Sequence, residues 1–437
     1  MRSNYPRVLI ISHNALSNTQ NNGKTMSSFF KQWDPERLAQ IYITTDTPDF
    51  TICNNFFQIH DFDILKRVFN RKIQGRRIEP SVLSGIQFHK KDTRENSFFK
   101  KIRSNISPCH RLLRDILWMS VGFYTKDLKE FVNDFNPEII FFQASSGVFA
   151  FDLTKRICNE RKIPLVIQST DDYITGRFTL DPFFWIHHFR LKKSFKEAFA
   201  YSTCIIAIGD KMAKEYASRF GGNYFVAMNA VSNINLPKYT PSNHVIKFTY
   251  AGNLGLNRWK MLVVIAECLA EIYQECGAKG ELSIYSLLEP SVQELKRLNL
   301  PPFSAFKGAL NTEELNAVKA DSDILVHVEA FDSKNKHITR LSISTKIPEY
   351  LASGRCIFAM GPKDVASIQY IAEYDLGITV SSINKTDVKR ELKGIMLNGQ
   401  KRIQYAENGI LIAQKRHNAI EISNNIFQII AKAIDDI

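Results

Sequence analysis

Two consecutive doubly wound α/β domains are the fold class this sequence predicts, and three observations carry the prediction. Its 437 residues exceed what a single core usually covers. Continuous apolar runs of strand length alternate with segments of helical periodicity, the pattern of parallel strands buried on both faces. One opening also occurs twice: strand, glycine-bearing loop and helix, first at Arg7 and again at Ile246. The expected division is an N-terminal domain at 1–235 with a basic insertion at about 64–115, a C-terminal domain at 236–415, and a closing helix at 416–437 that packs back on the body.

The first domain opens with the strand Arg7-Val8-Leu9-Ile10-Ile11-Ser12, a polar loop from His13 to Gly23, and a helix from Lys24 to Trp33. That loop holds one glycine, so it is not the G-x-G-x-x-G dinucleotide fingerprint. Leu38–Thr44 and Phe56–His60 supply further strands. Beyond the insertion, Glu138–Gln143 is a strand, Ala144-Ser145-Ser146-Gly147 a loop, and a helix runs to about Arg161. The strand Pro164–Gln168 ends in Ser169-Thr170-Asp171-Asp172-Tyr173. Ligands of open α/β sheets bind beyond the carboxyl ends of strands. Asp171 and Asp172 therefore read either as a general base for an acceptor hydroxyl or as caps of the next turn. Cys204–Ile208, Lys211–Phe220 and Tyr224–Met228 complete the domain, and Asn229–His244, with two prolines, reads as the linker.

The second domain restarts with the strand Ile246–Ala251, the loop Gly252-Asn253-Leu254-Gly255-Leu256-Asn257, and a helix from Arg258 to Tyr273 with Arg258 and Lys260 at its mouth. Glu281–Ser286, Ser304–Lys307 (turning at Gly308) and Asp323–Val328 are strands, the last entering a polar loop from Glu329 to Ser344. Gln404–Ile434 reads as helical. Two such domains leave a cleft between facing carboxyl edges.

The richest stretch is Ser342-Ile343-Ser344-Thr345-Lys346-Ile347-Pro348-Glu349-Tyr350-Leu351-Ala352-Ser353-Gly354, in which hydroxyl residues lead into a helix that stops at a glycine. The unpartnered amides and the dipole of a helix start make an anion site. Glu349, one turn inside, can accept two hydroxyl hydrogen bonds. Phosphate on the amides and ribose on the carboxylate is one reading; an ordinary capped amphipathic helix with a solvated Glu is the other.

Taken together, the two restarted halves, the Gly252–Gly255 loop and Thr345–Gly354 resemble bacterial GT-B glycosyltransferases of the family 4 type. The likeness runs over nearly the whole chain and is densest from about 246 to 380. It implies the GT-B form of the α/β class: two Rossmann-like doubly wound domains facing each other across a cleft, with a nucleotide-sugar donor held by the C-terminal one. On that resemblance Glu349 would bind the ribose hydroxyls. Ser342, Ser344 and Thr345 would face the diphosphate, with Lys346 beside them as a further substrate-binding residue, and Gly252, Asn253 and Gly255 would let backbone approach the sugar-phosphate. Arg258 or Lys260 would neutralise the leaving diphosphate. Lys307-Gly308-Ala309-Leu310 would hold the base through backbone groups, and Gly23 would approach the acceptor or a donor phosphate. The sequence departs from the family twice. Leu341 stands where an earlier Glu is common, with Glu329 twenty residues before Glu349. Asp171-Asp172 stands where many members have a His, and an Asp there either serves as base or orients the donor sugar.

The net charge is +13, and residues 64–115 alone hold fourteen Lys or Arg against four acids. That concentration points to an anionic surface met by one face of one domain. Phe69–Arg77 and Phe98–Arg103 mix cations with apolar groups, as does Phe183–Lys193, so an anionic membrane surface is expected to meet residues 64–115 and 183–196. His187 and His188 are adjacent, diverge by about 100° on a helix, and suit such a contact better than a shared metal. No apolar run reaches the roughly 18 residues of a spanning helix. The seven scattered cysteines form no C-x-x-C pair, which suggests a reduced protein without a zinc site. Asp321-Ser322-Asp323 reads as helix-end chemistry, so no metal is expected.

The function expected is a hexosyltransferase using a UDP- or GDP-sugar, with no other cofactor, and acting on a lipid-linked or oligosaccharide acceptor in polysaccharide or lipopolysaccharide biosynthesis. It would be cytoplasmic and peripheral on the inner face of the membrane, without a nucleic-acid partner. The alternatives are a nucleotide-sugar 2-epimerase of the same fold, or a non-catalytic basic binder of membrane or nucleic acid. Product formed from the donor alone would mark the epimerase.

Overall fold

The computed structural model describes residues 5–17, 21–70, 75–80, 107–176, 179–232, 234, 239–241 and 244–436, apart from the side chains of residues 21 and 22. Phe98–Arg103 and Arg71–Gln74 of the basic insertion lie outside the described residues. The chain divides into two compact units: Met1–Ala227 with Ile422–Ile437, and Met228–Glu421.

Unit 1 runs β1 (Val8–Ser12), α1 (Asn21–Phe29), β2 (Leu38–Tyr42), β3 (Asn55–Gln58), α2 (Asp61–Phe69), β4 (Arg76–Ile78), α3 (Pro108–Val121), α4 (Lys126–Phe135), β5 (Ile139–Gln143), α5 (Val148–Arg161), β6 (Leu165–Ser169), α6 (Pro182–Tyr201), β7 (Cys204–Ala207), α7 (Asp210–Phe220) and β8 (Tyr224–Val226). The sheet order is β4-β3-β2-β1-β5-β6-β7-β8. Every pair is parallel except β3–β4, an antiparallel edge (Phe56 opposite Ile78). β1 and β5, buried along their whole length, read as unbroken apolar runs because helices cover both faces. The helix expected at Lys24–Trp33 is instead Asn21–Phe29, so Gly23 lies inside α1 rather than in the loop before it.

Unit 2 runs β9 (Val245–Ala251), α8 (Arg258–Cys276), β10 (Lys279–Tyr285), α9 (Val292–Leu298), β11 (Ser304–Gly308), α10 (Thr312–Asp321), β12 (Ile324–Val328), α11 (Ser333–Thr339), α12 (Lys346–Ala352), β13 (Cys356–Met360), α13 (Ala366–Glu373), β14 (Gly377–Val380), α14 (Lys385–Leu397) and α15 (Gly399–His417). Its all-parallel order, β11-β10-β9-β12-β13-β14, reverses direction between β9 and β12. That is the doubly wound arrangement whose switch point opens a ligand crevice. The helical tail expected at Gln404–Ile434 consists of two helices, α15 and α16 (Ala419–Asp435), separated at Asn418. The break is fixed by a parallel bridge in which the Val231 amide donates to His417 O and the Ala419 amide to Val231 O.

Asp321-Ser322-Asp323 behaves as helix-end chemistry. Asp321 closes α10 and pairs with Lys247, while Asp323 accepts from the Lys247 amide and the Tyr239 hydroxyl. The seven cysteines are free thiols. Among the described residues no helix is long and apolar enough to cross a membrane.

Candidate functional site

The loops leaving β9 and β12 meet the start of α12 at the switch point of unit 2. The Tyr350 hydroxyl, on α12, accepts from the Ala251 amide (3.1 Å) and donates to Ala251 O (3.3 Å), which docks the helix on the end of β9. Lys346 then reaches back over the Tyr250 ring at 5.0 Å. A Cβ on Gly252 would lie 1.6 Å from the Lys346 ammonium nitrogen, so glycine is required there for the lysine to occupy that space. Among the described residues no carboxylate lies within ion-pair distance of that ammonium. Burial first, then the charge of Arg258, bring Lys346 down to about 7 against the opposing pull of Glu329 and Glu349.

Arg258, the first residue of α8, makes a bidentate pair with Glu329 at the end of β12 (Nη2–Oε2 2.9 Å, Nε–Oε2 3.2 Å, Nη2–Oε1 3.2 Å). Glu329 is almost wholly buried, and burial raises its carboxyl above the usual range despite the guanidinium. His327, two residues earlier on the strand, has Nε2 3.5 Å from Glu329 Oε1. Burial, then the Lys346 and Arg258 charges, lower its pKa to about 3, so it is neutral at neutral pH. Leu256 and Asn257 are consecutive left-handed residues (φ 56° and 60°), a conformation that costs a non-glycine residue energy and marks a held loop. Asn257 Nδ2 donates to Asp332 Oδ2 at 3.0 Å. The Arg258–Glu329 pair makes the second tie between the same two loops.

Glu349 lies one turn into α12, half-buried, and accepts from the buried Lys319 ammonium of α10 at 3.1 Å. Ser344 and Ser342 are gripped through their backbones: the Ser344 amide donates to Ser367 Oγ, which donates to Ser342 O. Thr345, exposed, makes no capping hydrogen bond to the seven-residue helix. Asn253 Oδ1 accepts from the Gly255 amide (2.7 Å), and the Asn253 carbonyl accepts from Tyr250. Lys260 is exposed, 5.8 Å from the Trp259 ring. Gly308 ends the edge strand β11 at φ 83°, where its carbonyl takes the Ser286 amide. Gly252, Arg258, Lys346 and Glu349 therefore come together; Lys260 and Gly308 sit further out in the same unit.

Asp171 and Asp172 belong to unit 1, after β6. Asp172 Oδ1 accepts from the amides of Ile174 and Thr175 and from the Tyr216 hydroxyl, so it caps its turn. Asp171 Oδ2 accepts from the Tyr173 hydroxyl at 3.1 Å. Gly23 is buried in α1, where a Cβ would lie 2.3 Å from Ala15 O. The expectation that His187 and His188 face a membrane or partner is overturned: both are buried. His187 Nε2 lies 3.1 Å from Ser146 O and 3.2 Å from the buried Asp115 carboxylate, which also takes the Val148 amide. Among the described residues no cluster of three or more His, Cys, Asp or Glu could hold a metal.

Sequence reasoning passed over His327, Lys319 and the tie between Glu329 and Arg258. The one signal for His327 was a lone polar side chain inside the apolar run Ile324-Leu325-Val326-His327-Val328. Leu341, where an earlier carboxylate was sought, is fully buried.

Solved structures match this arrangement over the whole chain. Sucrose-phosphate synthase from Thermosynechococcus elongatus aligns over 98% of this chain and 99% of its own, at TM-score 0.62 and 12% identity. The Anabaena protein HepE, in complex with UDP and glucose, aligns over 98% and 100%, at TM-score 0.62 and 13% identity. WaaG, a glycosyltransferase involved in lipopolysaccharide biosynthesis, aligns over 97% and 99%, at TM-score 0.57 and 10% identity. The chain has the GT-B fold. No family model and no curated protein matches the sequence.

Proposed function

We propose that this protein is a glycosyltransferase that moves a hexosyl group from a UDP- or GDP-sugar to a lipid-linked or oligosaccharide acceptor in polysaccharide or lipopolysaccharide assembly, at the cytoplasmic face of the membrane. The observation that carries the reading is the pair Lys346 and Glu349, one turn apart on α12 at the switch point of unit 2. One is a cation with no matching carboxylate and the other a carboxylate anchored by a buried lysine. Such a pair suits a nucleoside diphosphate, with the ammonium on phosphate oxygens and the carboxylate on ribose hydroxyls. The structural neighbours support the donor class, since HepE was solved with UDP and with UDP-glucose. The lipopolysaccharide role of WaaG supports the acceptor class.

In this reading the bond between the anomeric carbon and the diphosphate oxygen breaks as the acceptor oxygen bonds to that carbon. Lys346 takes up the charge developing on the leaving diphosphate. Arg258, already paired with Glu329, stiffens the glycine loop and adds a weaker field. Ser342, Ser344 and Thr345 lie beside the phosphates, Asn253 and Gly255 beside the sugar-phosphate, Lys260 at the rim, and the backbone at Gly308 beside the base. Asp171, just past the carboxyl end of β6, receives the acceptor proton, whereas Asp172 holds its turn.

Thermal-shift screening against a panel of nucleotide sugars should give stabilisation by one nucleotide class, because a ligand that binds only the folded state stabilises by mass action. Glu349→Ala should then weaken the nucleotide about 10- to 100-fold in calorimetric titration, from the loss of a charged hydrogen-bond acceptor of about 1.5–3 kcal/mol. Undiminished affinity in that variant would refute the assignment.

A further inference from the structure

We propose that the outward face of α2, α3 and α6 in unit 1 is a docking surface for an anionic lipid bilayer. Each of these helices buries one side and shows solvent an apolar triad at three-residue spacing. On α2 the triad is Phe62, Leu65 and Val68, opposite the buried Ile64. On α3 it is Leu113, Ile116 and Met119, opposite Leu112 and Trp118. On α6 it is Phe183, Ile186 and Phe189, opposite Leu191 and Phe195. The nine side chains are 43–63% exposed, and Phe69, at the end of α2, is 91% exposed. Large apolar groups exposed singly are ordinary, but three adjacent helices repeating one pattern make a patch that water disfavours.

The helices lie side by side. α2 packs on α3 and α3 on α6. Arg67 Nε donates to the carbonyls of Val121 and Gly122 at the end of α3, and Arg114 and Trp118 of α3 both donate to Asp61 of α2. Arg190 of α6 reaches the Met119 sulfur at 3.0 Å, which brings the α6 and α3 triads together.

Charge decides among occupants. The three helices hold eight Lys or Arg and four Asp or Glu. Of the acids, Asp115 is buried and Asp61 is taken by Arg114. Lys66, Lys192 and Lys193 are exposed. A net positive face repels a second copy of itself. Six of the nine triad side chains, among them the whole α3 triad, are aliphatic and offer no ring for a nucleic-acid base to stack on. A bilayer with anionic headgroups satisfies both features at once, phosphates on the cations and acyl boundary on the triads. The inference deepens the membrane location given in the proposed function, but it stands on residues of unit 1, so failure of vesicle binding and failure of nucleotide binding are separate outcomes.

The test is sedimentation of the full-length chain, without nucleotide, with vesicles of phosphatidylcholine alone or with added phosphatidylglycerol. The chain should pellet with the anionic vesicles and be released as salt rises, because screening weakens the headgroup attraction. Ile116→Ser, Ile186→Ser and Phe189→Ser together should lower binding about tenfold or more, from the apolar area withheld from the interface, with unchanged circular dichroism. Lys66→Glu, Lys192→Glu and Lys193→Glu together should remove the preference for anionic lipid. The proposal falls if the parent stays in the supernatant at low salt. It also falls if the triple serine variant pellets like the parent, which would assign binding to residues 81–106. Light scattering in which the parent is a dimer and the serine variant a monomer would hand the face to a second copy. Binding of single-stranded DNA insensitive to the serine changes, without vesicle binding, would hand it to nucleic acid.

Discussion

The loop after β1 and the loop after β9 occupy the same station in the same topology, yet among the described residues the first is anchored by a buried neutral amide and the second by a buried ion pair. In unit 1 the neutral Gln40, fully buried on β2, accepts from the Leu16 amide (2.8 Å) and donates to Ser12 Oγ (2.7 Å) and Asn14 O (3.0 Å). Gly23 is there so that α1 can lie against the carbonyl of Ala15. In unit 2 the corresponding loop is tied by the Arg258–Glu329 ion pair, and its glycine makes room for an ammonium. A switch point supplies only a crevice; what it can bind is decided by whether the side chains around it satisfy one another or leave charge in reserve.

The largest expected effect sharpens that contrast. Arg258→Met leaves the Glu329 carboxylate buried and unmatched, which should cost about 3–5 kcal/mol. Gln40→Met strands only neutral groups, for about 1–3 kcal/mol. Urea midpoints for the two variants that moved equally would erase the distinction between the loops. The two glycines give an intermediate test. Gly23→Ala sets a Cβ against rigid backbone and should destabilise by about 1–3 kcal/mol with nucleotide affinity intact. Gly252→Ala meets the movable end of Lys346, so stability should hold while nucleotide binding falls. Melting temperature and calorimetric affinity, measured on both variants, should separate in opposite directions.

The most gradual effect is in pH. Lys346 titrates near 7 in the folded chain, well below the roughly 10.4 of a free lysine. The unfolded chain therefore binds that proton more tightly between these values, and stability should rise with pH across the window. His327, lowered to about 3, acts the same way lower down, adding stability as pH rises from about 3 to about 6.5. Diphosphate binding favours the charged lysine, so affinity should be greatest below pH 7 and fall by up to about tenfold per unit above it. Lys346→Met should flatten that slope, and a profile unchanged by the substitution would assign the dependence to another group.

Much of the fold was legible because buried parallel strands are written as unbroken apolar runs, as at Val8–Ser12 and Ile139–Gln143. Short elements were not: Gly377–Val380 joins the sheet as β14 with four residues, too few to set a period. What separates α15 from α16 is a bridge between Asn418 and Val231, a distant partner that no local pattern announces. Within the site, Glu349 and Gly252 stood out by local spacing. The Glu329–Arg258 tie spans 71 positions and Lys319–Glu349 spans 30, so no local pattern announces either. Lys346 read as a substrate-binding residue at a helix start; only the meeting of α12 with the end of β9 sets its ammonium against Gly252 and the Tyr250 ring. The aromatic-basic run at Phe183–Lys193 was visible, but its two histidines turn inward, His187 onto Ser146 and Asp115 and His188 against Phe184 and Trp185.

The terminal helix α16 is assigned, from Ile422 on, to the unit built by the first half of the chain. Ser423 donates to the Phe29 carbonyl across 394 positions, and Phe427 lies against Tyr5 and Trp33. On the ribosome, where domains ordinarily fold in the order they emerge, unit 1 must therefore wait half-built with those aromatics uncovered while all of unit 2 is synthesised. Translation time, and whatever shields the nascent chain during it, thus belongs to the folding requirements of this protein.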